Sequence, residues 1–164
     1  MIEEAIINLI AKVLRGDQSQ ASQVAQISTV GIKKKVEEYY SCFSDTLKNA
    51  CYAFVSENQQ IINGYIATIK NILSDKAVDI HDVSHVLQII LGTFDACNKL
   101  KPSDLTSDNV LSLCACIFKT CVAIMVPDDE KLSTSLVAII DIVQDLIRFE
   151  FGAEAKIKRS LCCC

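Results

Sequence analysis

Apolar residues recur along this chain at steps of three and four, with polar residues between them. That spacing lines one face of an α-helix. Ile2, Ile6, Leu9, Ile10, Val13 and Leu14 make the face of an opening helix. The polar stretch GDQSQASQ, Gly16 to Gln23, ends it and predicts a loop. One long amphipathic segment follows, with Ile32, Val36, Tyr40, Phe43, Leu47, Cys51 and Phe54 in register. Glu57-Asn58-Gln59-Gln60 interrupts the pattern. It resumes at Ile61, Ile62, Tyr65, Ile66, Ile69, Ile72 and Leu73. Asn63-Gly64 is a turn-forming pair, but the apolar steps run through it, which keeps a helix there.

Asp79 has the chemistry of an N-cap, because its carboxylate can accept from exposed amides of the next turn. Behind it, Ile80, Val83, Leu87, Ile90, Phe94 and Cys97 form a heptad-like seam. Pro102 closes that helix. Thr106 or Ser107 caps the next, which runs to about Val126 and is apolar on nearly every side, as a helix inside a bundle must be. Pro127 breaks it. Asp128 is the expected cap of the following helix, with Asp129 and Glu130 favourably placed in its first turn. Its apolar face is Leu136, Ile139, Ile140, Val143, Leu146, Ile147 and Phe151, Gly152 is its expected stop, and one short helix follows. No segment alternates apolar and polar residues, so no strand is predicted. Val86 to Cys97 and Val110 to Cys121 share Val, Leu, Phe and Cys positions, a single echo that does not make a repeat array. The predicted fold is all-α: a single compact bundle of about six helices around a central apolar helix. It spans 1–155 and is followed by a tail, 156–164.

Composition supports a packed core. Of 164 residues, 51% are hydrophobic, and two prolines and five glycines leave little for linkers. Charge is uneven. Residues 1–76 hold eight acids and eight bases; 77–155 hold twelve acids and five bases, net −7; the last nine residues hold three bases, net +3. Such a body repels nucleic acid, while the tail is drawn to anionic surfaces. Lys33-Lys34-Lys35 is the one basic cluster in the body, and Glu37 and Glu38 four residues on predict i,i+4 pairs. The start carries acids where a secretory signal needs bases. Val110 to Val126 is 17 residues long with Lys119 near its centre. A lysine there costs about 2.5–3.5 kcal/mol on insertion scales, so the stretch reads as a buried core helix. Nine cysteines, an odd number without an export signal, point to a reducing compartment. Cys42, Cys51, Cys97, Cys114, Cys116 and Cys121 fall at or beside apolar helical positions and act there as small hydrophobes.

Catalytic patterns are sparse. His81 and His85, in HDVSH, lie one turn apart on a helix face, the ligand spacing of helical zinc sites. Asp82 stands where the metalloprotease motif HExxH has Glu, but it reaches less far, and a catalytic site needs a third ligand. The heptad places both histidines off the seam, towards solvent. Cys114 and Cys116 of CxCxxxxC point in different directions on a helix, so core packing is the better reading. Neither GxxxxGK[ST] nor GxGxxG occurs. No acid–base pair stands out. Of Tyr39 and Tyr40, one is read as core and one as surface. The chain is therefore read as non-enzymatic, with no cofactor and no small-molecule substrate.

The most specific clue is the ending, KIKRSLCCC. Lys156, Lys158 and Arg159 form a short basic patch for membrane-surface contact, ahead of Cys162, Cys163 and Cys164. One acyl chain anchors only marginally, and a basic patch plus S-acylated cysteines supplies the two signals that stable attachment needs. Each base near an anionic leaflet adds about 1 kcal/mol. The CaaX pattern fails because Leu161 stands where its Cys belongs. A terminal Cys-Cys resembles the doubly prenylated end of Rab-type GTPases, but no GTPase motif accompanies it. Three other readings stay open: crosslinks between subunits of a particle shell, a soft metal held between chains, or a frayed end without function.

Together these features predict a helical adaptor on the cytoplasmic side of a membrane. Its tail contacts anionic lipid, and its helix faces meet a protein partner or another copy. A structural or assembly protein, such as one of a virus particle, is the alternative. A metal-dependent enzyme built on His81 and His85 is a distant third. A buried helix ringed by amphipathic ones resembles the Bcl-2 architecture at the level of fold, without that family's short motifs.

Overall fold

The computed structural model describes residues 2–16, 29–74, 78–100 and 106–161. Among these residues the chain is all-α, with seven helices and no strand: α1 Ile2–Gly16, α2 Thr29–Tyr40, α3 Asp45–Glu57, α4 Gln59–Leu73, α5 Ile80–Leu100, α6 Ser107–Met125 and α7 Glu130–Leu161. Pro102 and the expected loop beyond Gly16 lie outside the described residues. α6 packs against α1, α2, α4, α5 and α7, whereas α7 packs against α6 and α5. Of the 19 residues of α6, 13 are buried. By length and composition α6 could cross a membrane, but most of it is covered by the other helices.

The expected long second segment is two helices. The apolar steps run straight from Tyr40 through Phe43 to Leu47, which hides the break. It falls at Ser44, whose hydroxyl accepts from the Leu47 amide at 3.3 Å and so starts α3. A single residue, Asn58, separates α3 from α4. Its amide N–H and its side-chain Nδ2 both donate to the Phe54 carbonyl, at 3.1 and 3.0 Å. α4 passes unbroken through Asn63-Gly64.

α5 opens on a reciprocal cap. The Asp79 carboxylate accepts from the His81 amide at 2.6 Å, and the buried Asp82 carboxylate accepts from the Asp79 amide at 2.8 Å. Its inner face is rotated from the expected seam. Val86, Ile90, Thr93, Phe94 and Cys97 are buried with Asp82, Val83 and Leu87 are half-buried, and Ile80 is exposed. Thr106 caps α6 by accepting from the Asn109 amide. Asp129, not the expected Asp128, caps α7 by accepting from the Leu132 amide at 2.9 Å.

The core is aliphatic with a few aromatic anchors. Tyr65 of α4 stacks on Phe118 of α6, ring centroids 4.5 Å apart and 4° from parallel. Tyr40 is fully buried, its hydroxyl 3.5 Å from the Cys51 sulfur, while Tyr39 is half-buried under Lys119. Glu3 of α1 is buried and pairs with Lys48 of α3 at 2.7 Å. Lys33 pairs with Glu4 of α1 at 3.6 Å, an interhelical partner in place of the expected Glu37.

Candidate functional site

α7 is the longest element, 32 residues or about 48 Å at 1.5 Å per residue. Its inner face, Leu136, Ile139, Ile140, Val143 and Ile147, is buried against the fold. Ile142, Leu146 and Phe149 stand on the outside with relative exposures of 53%, 51% and 79%. Leu146 was expected on the inner face; it belongs instead to this second apolar row. The row follows steps of four and three, so the three side chains form one continuous strip on the helix. The signal was present in the sequence, but periodicity does not say which of two apolar rows a fold covers.

Charge frames the strip. Arg148 donates through Nε to Asp108 at 2.6 Å and through Nη1 to Asp145 at 3.1 Å. The Asp108 carboxylate beside it holds the guanidinium even more firmly charged than usual. Lys119 of α6 pairs with Asp141. Glu150 is exposed on the other side of the strip.

The helix does not stop at Gly152. It continues to Leu161, so the expected short tail helix is the end of α7 itself, and Lys156, Lys158 and Arg159 occupy its last turns. A helical glycine costs only about 1 kcal/mol relative to alanine, too little to end a helix alone. Cys162, Cys163 and Cys164 lie outside the described residues.

His81 and His85 are both exposed in the first two turns of α5. Asp82, between them, turns inward to cap its own helix rather than outward to the imidazoles. Among the described residues no group of three His, Cys, Asp or Glu side chains is placed to hold a metal ion. His85 borders a cleft of about 470 Å³ between α4 and α5, lined by Ala67, Thr68, Asn71, Gln88 and Ile89. Ile89 also borders a second cleft of about 310 Å³ near the end of α3, with Phe54, Gly64, Gly92 and Cys97 on its walls.

The buried thiols are set up for packing rather than chemistry. Burial pushes Cys51 and Cys116 up to about 12 and raises Cys121 further. Cys114 donates to Cys97 across α6 and α5 at 3.7 Å, and that hydrogen bond, with burial, holds the Cys114 thiol protonated. A protonated, enclosed thiol is a poor nucleophile. Cys42, in the turn between α2 and α3, is the exposed one among the described cysteines. The described surface therefore offers an apolar strip on the helix whose last turns hold Lys156, Lys158 and Arg159. Scans against protein-family models, curated proteins and solved structures each find no match for this chain.

Proposed function

We propose that this chain is a non-enzymatic interaction module, one helical bundle built round α6, held at the cytoplasmic face of a membrane by its tail. The observation that carries the reading is the continuity of α7. One helix bears the exposed strip Ile142–Leu146–Phe149 and then the basic turns, and the sequence runs on from its last residue into the three cysteines. Docking surface and anchor are thereby mechanically joined, so anchoring the tail fixes where the strip is presented. Lys156, Lys158 and Arg159 bind the anionic leaflet by charge, and acyl chains on Cys162, Cys163 and Cys164 supply the hydrophobic half of the attachment.

Cell fractionation tests this. The full chain is expected in the membrane fraction, and replacing Cys162, Cys163 and Cys164 by serine is expected to release it. A wild-type chain found in the soluble fraction, or a triple-serine variant that stays with membranes, defeats the reading. The same exposed strip also favours a second reading, an assembly protein whose tail contacts neighbouring subunits. That reading expects large particles in light scattering and subunits crosslinked through the tail on a non-reducing gel.

A further inference from the structure

We propose that Cys97 and Cys114 are an oxidation site: a small hydroperoxide enters by the cleft beside α5 and joins the two sulfurs in a disulfide that ties α5 to the central helix α6. The proposal concerns the bundle and rests neither on the tail nor on the exposed strip. The two Sγ atoms are 3.7 Å apart, in van der Waals contact across the two helices. A disulfide needs about 2.05 Å, so the sulfurs must close by about 1.7 Å, a shift that side-chain rotation shares between two residues. Both thiols are buried, but they are not equally enclosed. Cys97 lines the cleft of about 310 Å³ with Gly92, Thr93 and Ala96, and Cys114 lies behind it. Gly92 leaves open space where a Cβ would stand, so no side chain closes the cleft from that position. Cys97 is only 4% exposed, so a reagent of about water's size reaches it before a bulkier alkylating agent does.

The chemistry balances with the hydroperoxide as oxidant. The Cys97 sulfur attacks one peroxide oxygen. An S–O bond forms, the O–O bond breaks, and the Cys97 proton leaves with the departing oxygen. Cys97 is then a sulfenic acid. The Cys114 sulfur, whose proton already points at Cys97, attacks the Cys97 sulfur. The S–S bond forms, the S–O bond breaks, and the hydroxide leaves with the Cys114 proton as water. The two thiols lose two electrons, and the O–O bond takes them up. Tyr65 supplies a polar partner. Its hydroxyl is fully buried, makes no hydrogen bond of regular geometry and borders Cys114. As Cys114 gives up its proton, that hydroxyl is the donor beside the sulfur for the charge that develops there. A buried hydroxyl left unpartnered next to two touching thiols costs stability, which packing does not explain and a reacting site does. In a chain kept reduced, such a pair rests as two thiols and closes only under oxidant.

Peptide mass mapping of the reduced full chain after hydrogen peroxide tests the proposal, with free thiols alkylated on denaturation and no reductant in the digest. A linked Cys97–Cys114 peptide pair is expected, while Cys51 and Cys121 stay reduced. Cys114→Ser should leave a sulfenic acid on Cys97 that dimedone traps. Tyr65→Phe should keep the fold and slow the disulfide at least about 10-fold, the loss of one hydrogen bond to a developing charge. A purely structural role for Tyr65 predicts no such slowing. Gly92→Leu should fill the open space beside the cleft and slow oxidation of Cys97. Absence of the Cys97–Cys114 link after peroxide has oxidised the exposed Cys42 overturns the proposal. So does a link that forms only together with oxidation of Cys51 and Cys121, because that is the chemistry of an unfolded chain. A rate indifferent to Tyr65→Phe or to Gly92→Leu overturns it as well. Cys162, Cys163 and Cys164 fall in a separate peptide, so oxidation of the tail is read apart from this pair.

Discussion

Removing one oxygen atom from the core should stabilise this protein. Tyr65 is fully buried between α4 and α6, and its hydroxyl makes no hydrogen bond of regular geometry. Thr93 on α5 and Cys114 on α6 both border the hydroxyl without completing a bond of regular geometry, and Thr93 donates to the Ile89 carbonyl of its own helix at 2.7 Å. Burial raises the Tyr65 phenol well above its ordinary value, so the group stays neutral. A buried hydroxyl without a partner costs about 1–3 kcal/mol in lost hydration. Tyr65→Phe removes that cost and keeps the ring that stacks on Phe118. It also gives up the dispersion contacts of one oxygen, so the net gain is about 1 kcal/mol. For 164 residues the unfolding entropy is about 0.34 kcal/mol/K, which makes the gain a rise of about 3 °C in Tm. Calorimetry, with urea unfolding at constant m-value, reads it directly. A midpoint unchanged or lowered would show that the hydroxyl is satisfied and that the reasoning is wrong.

Other substitutions probe the packing and the surface. The Glu3 carboxyl is held below its ordinary value of 4.5 chiefly by its hydrogen bond from Lys48. Its contribution is therefore fully present above about pH 4.5 and is lost as pH falls through the lower folded value. Glu3→Gln should be less stable than wild type near neutrality, and the two urea midpoints should converge as the pH is lowered. Gly92 sits inside α5 with open space where a Cβ would be, so Gly92→Ala should raise stability by about 0.5–1 kcal/mol. At Gly64 the added Cβ meets Ile89 Cδ1 at 3.2 Å, and the same thermal scan should show a smaller gain or a loss. Brief alkylation of the native protein at pH 8 should modify Cys42 and spare Cys51, Cys97, Cys114, Cys116 and Cys121, as peptide mass spectrometry would show. Rapid labelling of Cys51 or Cys121 would contradict the described core.

Residue type and spacing made much of this fold legible. The central helix announced itself because α6 is apolar on nearly every side, and Pro127 marked its end. The break between α2 and α3 was hidden because Tyr40, Phe43 and Leu47 keep helical spacing across it; the serine that caps α3 is a weak signal among many polar residues. The α5 seam was rotated because Ile80 counts as apolar in any pattern, yet stands at the helix start beyond the neighbours that would cover it. The choice between Asp128 and Asp129 as cap is a one-residue matter of backbone geometry that two adjacent aspartates cannot settle by chemistry. At the candidate site, the basic and cysteine-rich ending was plain from composition. The outward row Ile142, Leu146 and Phe149 was not, because burial belongs to the neighbours of a helix and not to its own sequence. The unpartnered Tyr65 hydroxyl is likewise a property of what surrounds it.

In the proposed function, α7 carries a covered inner face, an exposed apolar strip and basic last turns that lead into a tethering tail, and the tether sets where the strip is presented. Intact-mass measurement of the protein from its natural source, before and after hydroxylamine, tests it most directly. A mass excess of one or more acyl chains that hydroxylamine removes is expected, with the thioesters mapped to Cys162, Cys163 or Cys164. An unmodified mass, or an excess that resists hydroxylamine, would defeat the proposed tether.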